Sequence, residues 1–479
     1  MVGLFYERNI MKVQYVSICP TQQAQEAGAY SFTPELLASV GARYSRNNEG
    51  LDAIASKIDP NNLDKSVDGI FKMIDYGHAS IADMTPIALF IDGISQFAAY
   101  YLWTLSPTAG GQECSTRYIK IDKDSLLSAE ELGIPEQYHS DFDNYNMNAF
   151  SNYQIALEAW TAISEQNPEL TKIPDNLLNS TSDKDQKAVA RMRRNFAFDR
   201  ARVYLPLSAS TGVMMLQSAR AWAYIASHLQ SHYLKELKSL GENIAQQLAL
   251  GAPRLLKHTK SNDGQKNYIN NEFSLLTDSL LHGIWNNFKT NNYGEVITEN
   301  YLEAEDLWYD DELISMACKS RTNRYSPFGN IISRTSVKFC WLGISFGEIR
   351  DLNRHRTGTK YCPLMPLGFY ASIDQLPKET DELTQAITSC ANGFKSTTDF
   401  ARNLLKNKVG EYIYFTSLGH QYYFEHTTTA DKFLYEMELR TGVGAHFKYA
   451  EHCKNLLNLW YKKYPVTKGL IFEGSAEPE

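Results

Sequence analysis

The tripeptide Gly-Ile-Ser occurs in each half of the chain, at Gly93-Ile94-Ser95 and at Gly343-Ile344-Ser345. A chemically loaded segment follows each copy. After the first comes Gly111-Gln112-Glu113-Cys114-Ser115-Thr116-Arg117-Tyr118; after the second comes Asn353-Arg354-His355-Arg356-Thr357-Gly358. Each segment reads as one end of an anion-binding signature, and each lacks what the other keeps. That arrangement points to a duplicated unit whose copies have divided one site between them.

Length agrees with two units. A chain of 479 residues exceeds one ordinary hydrophobic core and implies two domains or two large lobes. The most polar, Gly-containing passage, residues 259–268 (TKSNDGQKNY), sets the expected division into units 1–262 and 263–479. Landmarks recur in the same order on both sides. Glu312-Leu313-Ile314 to Arg321 echoes Glu35-Leu36-Leu37 to Arg46, and Tyr412-Ile413-Tyr414-Phe415 answers Ala201-Arg202-Val203-Tyr204-Leu205-Pro206.

Within that frame, Val13–Ile18 alternates as a first strand, and Thr33-Pro34-Glu35 opens a helix with Pro at its first position. Asn61–Lys72 reads as a helix, and Pro86–Ile91 as a strand leading into a Gly93–Trp103 helix. Residues 140–250 read as strongly helical, including a run from Ser208 to Leu250, and a further helix is expected from Thr427 to Cys453. The expected class is α+β and helix-rich.

Charge and cysteine usage exclude several functions. A net charge of −8 and a pI near 5.8 argue against a nucleic-acid-coating surface, although one phosphate needs only two or three cations. Seven scattered cysteines, Cys19, Cys114, Cys318, Cys340, Cys362, Cys390 and Cys453, show no metal or redox spacing and fit a reducing compartment. No secretion signal is read at the N-terminus. The longest apolar passage, Met84–Trp103, is interrupted by Asp92, Gly93 and Gln96, which disfavours a membrane span. The expectation is a cytoplasmic protein without membrane or nucleic-acid partners.

Two guanidiniums flanking an imidazole, Arg354-His355-Arg356, form rigid, permanently charged forks suited to phosphate or pyrophosphate. The competing explanation is a basic helix end complementing the macrodipole, with Arg350 and Asp351 pairing locally. Glu113, Ser115, Arg117 and Tyr118 place a carboxylate, a hydroxyl, a guanidinium and a phenol within six positions, as nucleotide recognition requires; a half-buried strand with a polar face has the same composition. Arg202, Arg440 and His78, taken singly, read as a solvated arginine, another like it, and a structural histidine. His228, His232 and Glu236 follow i, i+4, i+8 spacing, but the last position has drifted about 80° around a helix, and no metal site is assigned. Gly-rich phosphate loops are absent, so a bound dinucleotide would be held by Arg side chains.

Taken together, these motifs resemble the flavin-dependent thymidylate synthase family. Its signature joins Arg-His-Arg to Ser-x-Arg-Tyr, preceded by a Gly-Ile-Ser-type helix and a Gly-His-x-Ser turn. The chain is similar to a fused, duplicated version: two tandem, diverged copies of a thymidylate-synthase-complementing-type α/β unit. The resemblance implies reductive methylation of dUMP at C5 in dTMP biosynthesis, with FAD as cofactor and NADPH and methylenetetrahydrofolate as co-substrates. It implies flavin contacts for His78, Arg354, His355 and Arg356. Nucleotide contacts fall to Glu113, Ser115, Arg117, Tyr118, Arg202 and Arg440. Ser115 and Arg117 would be catalytic, Arg117 holding developing negative charge and Ser115 orienting the ring. Such enzymes are homotetramers, so two fused chains would form a homodimer mimicking one.

The carry-over is partial. The Arg-His-Arg positions of the first half are replaced around Thr104–Ser106, and the Ser-x-Arg-Tyr positions of the second, near Leu364–Leu367, are not kept. A catalytically inactive nucleotide- or flavin-binding scaffold therefore stands as the alternative, and a related pyrimidine nucleotide as an alternative substrate.

Overall fold

A computed structural model describes residues 10–46, 48, 50–76, 78–106, 108–115, 121–307, 309–379, 381–442 and 444–474. The fold is α+β and helix-rich, with nine strands among the described residues. It divides into two compact units that are discontinuous in sequence: Met1–Asp143 with Ser208–Leu275, and Asn144–Leu207 with Leu276–Glu479. The insertion of residues 144–207 into the second unit is a different division from a single cut after residue 262, and it carries Arg202 with it.

The first unit is built on an antiparallel sheet of order β1-β2-β4-β3, where β1 is Lys12–Val16, β2 Pro86–Ser95, β3 Gly110–Glu113 and β4 Ser210–Ser218. The second has β5 (Glu299–Ala304), β6 (Ser336–Ser345), β7 (Thr359–Tyr361), β8 (Gly368–Phe369) and β9 (His420–Thr429) in the order β5-β6-β9-β7, with β8 also on β9. Each sheet is thus centred on a ten- or nine-residue antiparallel pair. In β6, alternation buries Val337, Phe339 and Trp341 completely, each burial contributing about 1.5–3 kcal/mol.

Both Gly-Ile-Ser phrases end a central strand at a register shift. The shift falls between Asp92 and Ile94 in β2 and between Leu342 and Ile344 in β6. Gly93 and Gly343 adopt φ of +70° and +92° there, a region open to glycine at little cost. The serine that closes each phrase caps the helix that follows it. Ser95 Nα and Oγ donate to the Glu236 carboxylate at 2.7 and 2.8 Å. Ser345 makes the same pair of bonds to Glu348, three residues on, at 3.0 and 2.8 Å, closing a capping box.

Three expected helices are corrected. Ser210–Ser218 of the Ser208–Leu250 run is β4, and helices occupy Ala219–Gln230 and Lys235–Gly251. Val213, Met215 and Gln217 are buried while Met214 and Leu216 are half-buried, so the burial has a period of two, and the run pairs with β2 and β3 on either side. Likewise Thr427–Thr429 ends β9, and the expected Thr427–Cys453 helix is two helices, Ala430–Thr441 and Phe447–Lys463. The Gly93–Trp103 helix begins only at Gln96 and runs to Leu105, because the strand continues through Ser95. Among the described residues no helix is long and apolar enough to cross a membrane.

Candidate functional site

Helix Phe346–Leu352 ends after seven residues, capped by Asn353, and releases the Arg-His-Arg segment into a short connection to β7. Exposure then alternates: Arg354 is exposed, His355 buried and Arg356 exposed. The ring between the two exposed arginines is packed into the second unit. Gly358 at φ +66° completes the turn; a Cβ there would lie 2.0 Å from the Thr427 carbonyl oxygen.

Beside the arginines lies a network of buried and half-buried polar groups. Arg440, in helix Ala430–Thr441, donates through Nε to His355 Nε2 at 2.8 Å and through Nη2 to the Asp351 carbonyl at 2.9 Å. Arg202 Nη2 lies 3.6 Å from Asp351 Oδ2, and its Nε 4.0 Å from Asp199 Oδ1. His426 Nδ1 stands 3.1 Å from Glu436 Oε2, an ion-pair distance, and its Nε2 bonds the Thr357 carbonyl at 2.7 Å. Lys360 Nζ donates to the His355 carbonyl.

Burial pushes the His355 pKa down to about 3, helped by neighbouring Arg440, so the ring is a neutral acceptor for that arginine. Burial alone would raise the Asp351 carboxyl, but Arg202, Arg354, Arg440 and Arg350 outweigh it and hold it well below the usual carboxylate range. For Arg356, burial and then the neighbouring Arg354 charge lower the pKa. Such a pair favours a polyanion between or over them. The Asn353 side-chain nitrogen beside them is buried with no hydrogen-bond partner. These residues therefore fit a phosphate-bearing ligand.

The structure brings together Arg202, Arg354, His355, Arg356 and Arg440 in the second unit. Glu438, two residues before Arg440 on the same helix, is paired instead with buried Arg321 at 2.6 and 2.7 Å. His78 and the nucleotide-edge residues belong to the first unit. His78 is exposed and precedes the short helix Ala79–Met84. Glu113 ends β3 opposite Val213, and Ser115 is half-buried just beyond it. Arg117 and Tyr118 lie outside the described residues, as does Gly77 of the Gly-His-x-Ser turn.

Asp351 was read from the sequence only as a local partner of Arg350, and Glu436, His426 and Lys360 were not singled out. Glu436 precedes Arg440 by one helical turn, a spacing that could have flagged it; His426 and Lys360 become neighbours only through the β7–β9 register. His228, His232 and Glu236 are used separately: His228 Nε2 bonds Tyr101 Oη at 2.8 Å, His232 Nδ1 accepts from Leu234 Nα at 3.1 Å, and Glu236 holds Ser95. A cavity of about 240 Å³ in the first unit is lined by Ala42, Arg43, Arg46, Ile54, Lys57 and Ile70, none of them motif residues.

Residues 29–254 match the family profile of thymidylate synthase complementing protein. Over that segment the chain is similar to this family. Two solved structures of a UMP/dUMP methylase, PolB from Streptomyces cacaoi, are similar at 17% identity. One is bound with 5-Br dUMP (TM-score 0.31) and covers 52% of this chain and 95% of its own. The other is bound with 5-Br UMP (TM-score 0.29) and covers 52% and 94%. Curated proteins gave no match.

Proposed function

We infer that the chain is an FAD-dependent, thymidylate synthase-like methyltransferase acting on dUMP or a related pyrimidine nucleotide, with reductive C5 methylation as its reaction. The observation that carries this reading is the cationic cluster of the second unit. Exposed Arg354 and Arg356 flank a buried, neutral His355, with Arg440 and Arg202 behind them. The family-profile match over residues 29–254 supports it independently.

In this proposal Arg354 and Arg356 anchor the FAD pyrophosphate, and His355 positions Arg440 while His78 contacts the flavin. Glu113, Ser115, Arg117, Tyr118, Arg202 and Arg440 hold the nucleotide. Arg117 stabilises negative charge developing on the pyrimidine ring, and Ser115 orients that ring. Bound FAD would supply hydride chemistry, with NADPH and methylenetetrahydrofolate as sources of electrons and carbon. Two further parts of the proposal are a tandem duplication, supported by the matching strand orders and register shifts, and a homodimer. Seven free thiols support a cytoplasmic location.

The test is anaerobic. Purified protein is reduced with NADPH, then dUMP and methylenetetrahydrofolate are added while flavin absorbance is followed and dTMP is sought by mass spectrometry. Reoxidation with dTMP formation is expected. A colourless protein that binds dUMP without turnover would instead establish the inactive, nucleotide-binding alternative favoured by the incomplete second-half signature.

A further inference from the structure

We propose that Asp351 is a built-in counter-anion of the arginine cluster, and that a phosphate group of the ligand displaces its carboxylate from Arg202. The inference rests on the phosphate-binding reading of the cluster given above. Asp351 lies in the last turn of helix Phe346–Leu352, where outward-pointing carbonyls disfavour negative charge. Its side chain is nevertheless only 20% exposed. Helix energetics therefore does not explain the carboxylate, and the surrounding cations do.

The pairing is loose. The 3.6 Å separation from Arg202 exceeds the roughly 2.7–2.9 Å of a charge-assisted hydrogen bond, and Asp199 stands still farther away at 4.0 Å. Arg202, 8% exposed at its side chain, is thus neutralised by two carboxylates at a distance. Meanwhile Arg440 fixes the Asp351 backbone through its carbonyl, so the carboxylate can rotate aside without the helix end moving. The dianionic monoester phosphate of a nucleotide, or the doubly charged pyrophosphate of FAD, carries more charge and more acceptors than the carboxylate it replaces. Asp351 then raises the threshold for entry: weakly bound monoanions leave it in place, and phosphates displace it. The displacing phosphate belongs either to the nucleotide or to the flavin.

Calorimetry on the full chain decides the matter, using dUMP, FAD, inorganic pyrophosphate and uncharged deoxyuridine with wild type, Asp351→Asn, and Asp351→Asn combined with Arg202→Gln. At low salt Asp351→Asn is expected to bind phosphate-bearing ligands about tenfold more tightly. Deoxyuridine should not change, and Arg202→Gln should cancel the gain. A gain confined to dUMP or to FAD assigns the phosphate. Equal or weaker binding by Asp351→Asn, in protein whose circular dichroism and Tm match wild type, overturns the proposal, as does a gain that survives Arg202→Gln. Pyrophosphate keeps the two readings apart: wild type that binds pyrophosphate but not dUMP defeats the nucleotide assignment, while the Asp351 comparison still stands on pyrophosphate. Failure of every phosphate-bearing probe to bind either protein overturns both.

Discussion

Arg440 donates a hydrogen bond from Nε to Nε2 of His355 at 2.8 Å, which requires that imidazole nitrogen to be unprotonated. A permanent cation therefore rests on a ring kept neutral by burial. His420 is also kept neutral by burial, its Nδ1 accepting from Ser417 Nα at 2.9 Å.

Acid sensitivity follows. Burial lowers both histidines from 6.5 to about 3. Between those values the unfolded chain binds protons that the folded chain refuses, so stability is full above pH 6.5 and falls as pH drops toward 3. Each ring is expected to cost about 2 kcal/mol by pH 5. Tm measured from pH 7 to 5 should fall, and His420→Asn should flatten the slope. An unaltered slope in that variant refutes the assignment.

Flavin retention should depend on the exposed arginines. Replacing Arg354 and Arg356 together by Ala should strip flavin absorbance from the purified protein. Because both are exposed, unfolding free energy of the ligand-free protein should change by less than about 0.5 kcal/mol per site. A yellow double variant would sink the pyrophosphate assignment.

The largest single-residue effect in the second unit is expected at Arg321. Its guanidinium and the Glu438 carboxylate are both fully buried, 2.6 Å apart. Arg321→Ala strands a carboxylate and should cost about 3–5 kcal/mol, whereas an apolar pair, Arg321→Met with Glu438→Leu, should recover most of that. Urea denaturation distinguishes the two.

Gly358→Ala tests the turn that leads from the arginines into β7. Its φ of +66° and the 2.0 Å approach of Thr427 O leave no room for a methyl group. The variant should lose about 1–3 kcal/mol and weaken flavin binding in parallel; unchanged flavin affinity would separate the turn from the clasp.

Much of this was legible in the sequence. The Gly-Ile-Ser phrases marked the ends of both central strands, and Arg-His-Arg marked the cluster. Arg202 was legible as a residue but not as a neighbour of Asp351, because residues 144–207 join the second unit, a choice that local pattern does not record. β4 was hidden because Val213-Met214-Met215-Leu216 is continuously apolar, and such a run fits a buried helix as well as a central strand. Partners such as buried His426 and half-buried Lys360 depended on strand register, which no spacing rule reveals.

The early end of helix Phe346–Leu352 has a consequence for how such chains can vary. On a continued helix, positions 354 and 356 would diverge by about 200°, whereas in an irregular, extended joint alternate residues share a side. Gaining or losing one residue between Leu352 and Arg356 would reverse that phase, turning the imidazole outward and the guanidiniums inward. Spacing is thus as tightly constrained as residue identity at this joint, and indels here should be tolerated far less than substitutions on the neighbouring surface.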